Sequence, residues 1–171
     1  MGTTSTHRSE TVIRRLWTPD PGGLLELWQH EGARTRRTFG VFAESDLAFR
    51  PQAGARSVAE LMQHLVQSYR VTHHWLVFES AAGLPQVNLP TSVADATDLL
   101  KTAQRELFRA LAETSPESFR VEIVPFGARE ARGVMAIGML KHEIHHRGEL
   151  YALARVCGRT PPHLYEAVRD E

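Results

Sequence analysis

Residues 93–111 read VADATDLLKTAQRELFRAL, and this stretch has the clearest amphipathic pattern in the chain. Its apolar side chains recur every three or four residues, at Val93, Ala96, Leu100, Ala103, Leu107 and Leu111. That spacing places them on one face of a helix. Ser92 with Asp95 supplies a start signal, and Ser115-Pro116 ends the pattern. The stretch predicts a helix that buries one face against other helices.

The segment upstream predicts a first helix from Leu24 to about Leu47. Asp20 can cap its first turn, and Pro21 favours the first helical position. The apolar residues at helical spacing are Leu24, Trp28, Phe39 and Phe42. The other helices are predicted to pack against this one.

Two more helices complete the pattern. Ser57 and Glu60 have the spacing of a capping box, in which each side chain satisfies the other's backbone N–H. Two stripes of the helix that follows are predicted to face inward: Val58, Met62, Leu65, Tyr69, Thr72, Leu76, and Leu61, His64, Ser68, Val71, Trp75, Phe78. The last helix runs from about Ala131 to Cys157 and stops at Gly158.

Four helices with little strand signal predict an all-α four-helix bundle. The alternation over Phe119 to Phe126 adds a short extended segment or hairpin arm before the last helix. A chain of 171 residues with 42% hydrophobic content can build one sizeable core. We expect residues 1–20 to form a loosely packed N-terminal arm and residues 21–171 a single bundle domain.

Composition excludes several classes of function. The 20 basic residues balance the 20 acidic ones, which disfavours a nucleic-acid partner. We expect no membrane span, because no run approaches the roughly 18 apolar residues that one requires. Cys157 is the single cysteine, which favours a cytoplasmic location and excludes an intrachain disulfide. We expect Cys157 itself to be a small core residue.

The nine histidines are the compositional feature that points to chemistry. His142 and His146 lie about 40° apart on the last helix, and Glu149 lies within about 20° of His142. Both histidines therefore share the inward stripe and can chelate one ion. An equally good explanation is two core histidines with separate hydrogen-bond acceptors. Without a cation, however, each neutral ring requires its own acceptor.

His64, on an inward stripe of the second helix, is the candidate third ligand. His73 lies about 180° from it and is expected to face solvent, and His74 lies about 80° away. In a bundle, ligands project inward from facing helices. His64, His142 and His146 thus predict a three-histidine site for a divalent ion.

These residues also carry a family resemblance. Helix two, SVAELMQHL over residues 57–65, and helix four, with His142-x-x-x-His146-Arg147-Gly148-Glu149-Leu150, resemble the metal-binding segments of the DinB/YfiT-like superfamily. The resemblance covers roughly residues 20–165. It implies nickel or zinc held by His64, His142 and His146, frequent homodimers, and either thiol-dependent transferase activity with a low-molecular-weight thiol or metal-dependent hydrolysis.

We therefore expect a metal-dependent enzyme acting on a small-molecule electrophile, with a cofactor thiol as nucleophile. Glu149 is expected to orient a ligand imidazole, to hold water or to become a fourth ligand. A bond to an arginine of the bundle is equally consistent with its position. Glu143 lies about 100° from His142 and is expected to be solvated or paired. Arg147 lies about 140° from His142 and is expected to pack against a loop or a partner subunit.

Two further hypotheses stay open at this point. His142-Glu143-x-x-His146 is also the signature of zinc metallopeptidases, in which the glutamate acts as general base. Alternatively, the bundle is a non-catalytic binding module, and closure of the metal site by Glu149 would favour that interpretation. The basic cluster of Arg34, Arg36 and Arg37 is expected to be a solvated face that attracts anions if it lies near the metal.

Overall fold

The computed structural model describes residues 20–163, which form four long helices and one small hairpin. The helices are α1 (Pro21–Phe39), α2 (Val58–Phe78), α3 (Val93–Glu113) and α4 (Arg132–Val156). Strands β1 (Glu122–Ile123) and β2 (Glu130–Ala131) pair antiparallel, with Glu122 opposite Ala131. The prediction of an all-α four-helix bundle is confirmed. The predicted arm over residues 1–20 lies outside the described residues except for Asp20.

Packing between the helices determines which side chains meet. α1 and α2 each pack against both α3 and α4. The largest fully buried side chains come from all four helices and from the 3-10 turn before β1. They include Trp28, Phe39, Tyr69, Leu107, Phe119 and Leu150. α2 and α4 are therefore neighbours, which allows side chains of the two helices to form one site. No helix within residues 20–163 has the length and apolar content needed to cross a membrane.

The predicted helix starts are confirmed by their caps. The Asp20 carboxylate accepts a hydrogen bond from the Gly23 N–H at 3.0 Å. The Ser57 hydroxyl accepts from the Glu60 N–H, and the Glu60 carboxylate accepts from the Ser57 N–H, as a capping box requires. These local signals fix where each helix begins.

The end of α1 differs from the prediction. The helix stops at Phe39, well before Leu47, although Phe42 beyond it is only 6% exposed. The chain instead forms a tight turn in which Asp46 accepts a hydrogen bond from the Ala43 N–H and pairs with Arg159, each at 2.8 Å. Apolar spacing thus predicted the burial of Phe42 correctly but not its backbone conformation.

Two smaller predictions are wrong, and a third is confirmed over a shorter range. Phe78 was expected inside the bundle, but it lies at the last position of α2 and is 60% exposed. The extended segment predicted over Phe119 to Phe126 is present as strand β1 of the hairpin, and it is limited to Glu122–Ile123 because 3-10 turns flank it on both sides. Cys157 is partly exposed at the end of α4 rather than a core residue.

Candidate metal centre

Three histidine side chains meet where α2 faces α4. His64 comes from α2, and His142 and His146 come from successive turns of α4. Their Nε2 atoms form a triangle in which each pair is 3.1 Å apart. The structure thus brings together the three residues that the sequence predicts as ligands, and this cluster could hold a metal ion.

Hydrogen bonds at the far side of two rings determine where their protons lie. The Ser68 hydroxyl donates its hydrogen to the His64 carbonyl at 2.8 Å, so it can only accept from His142 Nδ1, 3.2 Å away. The Glu149 carboxylate can only accept, and it lies 2.8 Å from His146 Nδ1. Both Nδ1 atoms therefore carry the proton, and both Nε2 atoms present a lone pair.

Two lone pairs that face each other cannot form a hydrogen bond. His142 Nε2 and His146 Nε2 are nevertheless 3.1 Å apart, and His64 Nε2 is 3.1 Å from both. A proton on His64 can serve only one of these acceptors well, whereas a single cation satisfies all three nitrogens. The donor set of this cluster therefore fits a divalent metal.

The size of the triangle fits the same ion. With metal–nitrogen bonds of about 2.0–2.1 Å, two nitrogens lie about 3.3 Å apart in tetrahedral and about 2.9 Å apart in octahedral coordination. The observed separation of 3.1 Å falls between these values. The geometry accommodates zinc or nickel and leaves coordination positions beyond the three histidines.

The surroundings keep two of the rings neutral. Burial, together with the charges of Arg56 and the neighbouring histidines, lowers the pKa of His64 to about 4. Burial, the neighbouring histidines and Arg56 lower the pKa of His142 to about 4 as well. Neutral imidazole is the form that binds metals. At neutral pH, these two rings therefore carry no second proton that would compete with a cation.

Glu149 lies beside the histidine cluster, on the side away from the Nε2 atoms. Burial raises the pKa of its carboxyl group, but the hydrogen bond from His146 and the charges of His146, His145 and Arg56 together lower it by more, so the net direction is down. Its other oxygen is 3.2 Å from His145 Nε2. Of the roles expected for Glu149, orientation of the His146 ring matches these contacts.

A different face of α4, which contacts α1, holds a second polar cluster. Glu143 is fully buried and accepts a hydrogen bond from Thr35 of α1. Arg147 is 3% exposed, lies 3.3 Å from Glu143 and forms an ion pair with Glu31 of α1. Glu143 is therefore paired rather than solvated. Arg147 packs against α1 of its own chain rather than against a loop or a partner subunit.

This placement of Glu143 bears on the metallopeptidase hypothesis. A general base must reach a water molecule beside the metal. The Glu143 carboxylate instead lies inside the bundle, where burial raises its pKa to about 6 although Arg147 and Thr35 oppose that shift. The geometry gives Glu143 a structural role and leaves the peptidase signature without its base.

Two cavities adjoin the histidine cluster, and His64 and Gln67 line both of them. The first, here named the apolar cavity, has a volume of about 500 Å³ and is lined mainly by Val71, Phe126, Met135, Gly138 and Met139. The second, here named the polar cavity, has a volume of about 460 Å³ and is lined by Arg56, Glu60, Gln63, Gln86 and Val87. The cluster is therefore accessible from two chemically different sides.

Arg56 is a basic residue beside the histidine cluster that the sequence does not predict for the site. It is exposed in the loop before α2, and it acts electrostatically on His64 and Glu149. The predicted cluster on α1 lies elsewhere, since Arg34 pairs with Glu31, and Arg36 lines a separate cavity with α3. No sequence motif distinguishes Arg56, because its position depends on how its loop packs.

The remaining histidines of α2 do not join the cluster. His73 is half-buried rather than solvent-facing, and burial lowers its pKa although the charge of Glu106 opposes the shift. His74 is buried, with its Nε2 3.0 Å from the Ala82 carbonyl. Both therefore have structural surroundings separate from the histidine cluster.

Comparison with known protein families assigns the chain. The model of the DinB family matches residues 19–171, which is nearly the whole sequence. The chain belongs to the DinB family. This match includes α2 and α4, the two helices that carry His64, His142 and His146.

Individual relatives in the DinB family are distant. The chain is 22% identical to the uncharacterized protein YrdA of Bacillus subtilis over 150 residues, covering 86% of this chain and 89% of YrdA. It is 26% identical to the uncharacterized protein YjoA of the same organism over 123 residues, covering 70% of this chain and 79% of YjoA. These names carry no activity.

Solved structures support the fold. A DinB-like protein from Bacillus cereus superposes with a TM-score of 0.75 at 21% identity, covering 84% of this chain and 97% of that protein. The DinB-like protein YjoA from Bacillus subtilis superposes with a TM-score of 0.73 at 20% identity and the same coverage. At such identities the likeness establishes the four-helix architecture alone.

Proposed function

We propose that this DinB-family protein is a metal-dependent enzyme that transfers a small electrophilic group to a low-molecular-weight thiol. The observation that carries the proposal is the convergence of three Nε2 atoms at 3.1 Å beside two cavities. His64, His142 and His146 would hold zinc or nickel, both of which accept imidazole ligands. Hydrolysis of a small ester or amide is the alternative reaction at the same centre.

The metal would supply one chemical property. A divalent ion with three neutral ligands lowers the pKa of a bound water or thiol, so that hydroxide or thiolate is available near neutral pH. The protein would contribute no nucleophile, because Cys157 lies at the end of α4, about four turns from His142. The thiol must therefore come from a cofactor.

The protein's own residues would orient the ligand set. Ser68 accepts from His142 Nδ1 and Glu149 accepts from His146 Nδ1, so both rings present Nε2 to the ion. Such outer contacts fix the tautomer and the ring angle. Because the Glu149 carboxylate accepts this hydrogen bond, it would not act as a fourth ligand, and the ion would keep an open coordination position. An open centre favours catalysis over a purely structural metal.

Metal analysis tests the binding half of this proposal. We expect about one equivalent of zinc or nickel in the purified protein, and its loss in His142→Ala and His146→Ala. His73→Ala, which removes a histidine outside the cluster, should retain the metal. Equal metal content in all four proteins would show that the three-histidine assignment is wrong.

An activity screen tests the reaction. The metal-loaded protein is incubated with a generic electrophile and glutathione, bacillithiol, mycothiol or cysteine. We expect turnover with at least one thiol, abolished by His64→Ala. Hydrolysis of a simple ester or amide without turnover of any thiol would instead support the hydrolase. Homodimer formation stays a prediction from family resemblance, and the molar mass in solution would test it.

A further inference from the structure

We propose that the metal centre lies between two subsites of different chemistry, an inference that rests on the proposed transferase function. In this arrangement the apolar cavity binds the uncharged, apolar body of the electrophile. The polar cavity binds a thiol that carries a carboxylate, and Arg56 recognises that carboxylate. In the reaction, a bond forms between the thiol sulfur and a carbon of the electrophile. The leaving group departs with its electron pair, and the thiol proton passes to solvent.

The walls of the apolar cavity indicate what it can hold. Met135, Met139 and Val71 offer apolar surface, and methionine adapts to ligands of varied shape. Phe126, from the hairpin turn, contributes a ring that is 67% exposed. Glu130 contributes the carboxylate at this cavity, which disfavours an anionic electrophile. The lining therefore favours an apolar body and disfavours one that carries a negative charge.

A glycine keeps the apolar cavity open. Gly138 lies within α4 and lines this cavity, and a Cβ added there would meet no atom within 4 Å. Glycine inside a helix is less favourable than alanine, so local stability does not explain its presence. The missing side chain leaves room beside the histidines. Gly138 is therefore a specificity-determining position.

The polar cavity presents one available positive charge. Within residues 20–163, the Arg56 guanidinium has neither a hydrogen bond nor an ion pair. Glu60 lines the same cavity, but Arg50 and the Ser57 N–H already engage its carboxylate. An incoming carboxylate would therefore meet an unpaired guanidinium and a neutralised glutamate. Arg56 can bind such a group in the bidentate manner that suits carboxylates.

Gln67 forms the partition between the two cavities. Its side-chain oxygen accepts a hydrogen bond from the Val87 N–H at 2.9 Å, and its nitrogen donates to the Pro85 carbonyl. Gln63 adds a third bond, donating to the Val87 carbonyl at 2.6 Å. These bonds fix the loop before α3 as a wall of the polar cavity. The two cavities consequently meet at the histidines but keep different linings.

The thiol side is tested with the Co²⁺-loaded full chain. Titration with N-acetylcysteine and with its uncharged amide is followed by the absorption of the Co²⁺–thiolate bond. We expect Arg56→Gln to weaken binding of the carboxylate form by about fivefold, as loss of one partly exposed ion pair predicts, and to leave the amide unchanged. Arg109→Gln, an exposed arginine of α3, is the matched control and should alter neither thiol.

The apolar side is tested with a pair of glycine variants. Gly138→Leu places a Cβ where no atom lies within 4 Å and extends a side chain toward the cavity. It should weaken binding of the uncharged fluorophore phenylnaphthylamine by about tenfold or more. It should slow turnover of chlorodinitrobenzene more than that of the smaller iodoacetamide. Gly148→Leu adds the same group to the same helix in a different groove and should change neither. The molar mass of both variants shows whether assembly is altered.

The outcomes separate the two levels of the proposal. If neither thiol changes the Co²⁺ spectrum and no electrophile turns over, the transferase function itself is wrong. If both thiols bind but Arg56→Gln affects them equally, or if Gly138→Leu and Gly148→Leu behave alike, the two-subsite assignment is overturned while the transferase function stands. Selective effects of Arg56→Gln on the thiol and of Gly138→Leu on the electrophile support it.

Discussion

Helix α4 carries polar clusters on two different faces, one toward α1 and one toward α2. On the face toward α1, Glu143 and Arg147 are almost completely buried, and they are satisfied by Thr35 and Glu31. On the face toward α2, His142 and its two partners point nitrogen lone pairs at one another. Both clusters combine residues distant in sequence. Only the second has polar atoms that other protein atoms leave unsatisfied, and this property marks it as a ligand site.

The largest effect is expected from breaking the buried ion pairs. Arg147→Ala leaves Glu31 and Glu143 without their common partner, and loss of one partner of a buried pair costs about 3–5 kcal/mol. We expect the free energy of unfolding, measured by urea denaturation in the presence of a chelator, to fall by that amount. His142→Ala, measured in the same way, should lower the free energy of unfolding much less, because no strong hydrogen bond to His142 Nε2 is lost.

Arg155→Ala provides the control for this comparison. Arg155 is exposed on the same helix, and substitutions at exposed positions usually change stability by less than about 0.5 kcal/mol. Arg147→Ala and Arg155→Ala with equal stability would show that the buried cluster does not hold α1 against α4.

The two clusters also differ in how far the sequence predicts them. His142 and His146 are four residues apart, so helix geometry alone places them on one face. The position of His64 follows once α2 and α4 are neighbours. Arg147, in contrast, pairs with Glu31, which lies 116 residues earlier in the chain. Helical angles show that Arg147 does not lie on the face of His142 and His146, but they do not identify the residue with which it pairs.

The same division holds for the fold. Caps such as Ser57 with Glu60 depend on residues three apart, and the sequence predicts them correctly. The end of α1 depends on Asp46, which bonds to Arg159 after α4. Arg56 likewise reaches the metal centre only through the packing of its loop. Contacts between distant segments therefore determine the structural features that short-range sequence patterns do not predict.

A smaller effect is expected from Glu149, which accepts a hydrogen bond from Nδ1 of the His146 ring. Glu149→Ala removes the charged acceptor of His146 Nδ1, and substitutions of this kind typically reduce metal affinity by about 10–100-fold. A competition titration of zinc against a chromophoric chelator measures the change. Glu113→Ala, at the exposed end of α3, is the control. An unchanged zinc affinity in Glu149→Ala would mean that the His146 tautomer needs no support.

The pH dependence of stability should have opposite signs on the two faces. The folded-state pKa values of His64 and His142 are lowered from 6.5 to about 4, so the unfolded chain binds more protons in that range and stability falls as pH falls. The pKa of Glu143 is raised from 4.5 to about 6, so this group opposes the trend as pH falls from 6 to 4.5.

Urea denaturation of the metal-free protein between pH 4 and 7 tests this opposition. One full proton changes the free energy of unfolding by about 1.4 kcal/mol per pH unit. Each histidine should contribute less than this slope, because its ring is partly solvated. The pH slope of the unfolding free energy should become shallower in His64→Asn and steeper in Glu143→Gln. Identical slopes in both variants would contradict the assigned pKa directions.

The smallest effect is expected at Ser68, the outer contact of His142. This contact joins two neutral groups at 3.2 Å, whereas the contact of Glu149 with His146 is charged and 2.8 Å long. Neutral hydrogen bonds contribute about 0.5–1.5 kcal/mol and charged ones about 1.5–3 kcal/mol. Ser68→Ala should therefore reduce zinc affinity by only about two- to tenfold, less than Glu149→Ala in the same titration. Because Ser68 also bonds to the His64 carbonyl, Ser68→Thr, which keeps the hydroxyl, should restore much of the affinity. A loss in Ser68→Ala that equals or exceeds that in Glu149→Ala would show that hydroxyl placement, rather than charge, controls the orientation of the ligand rings.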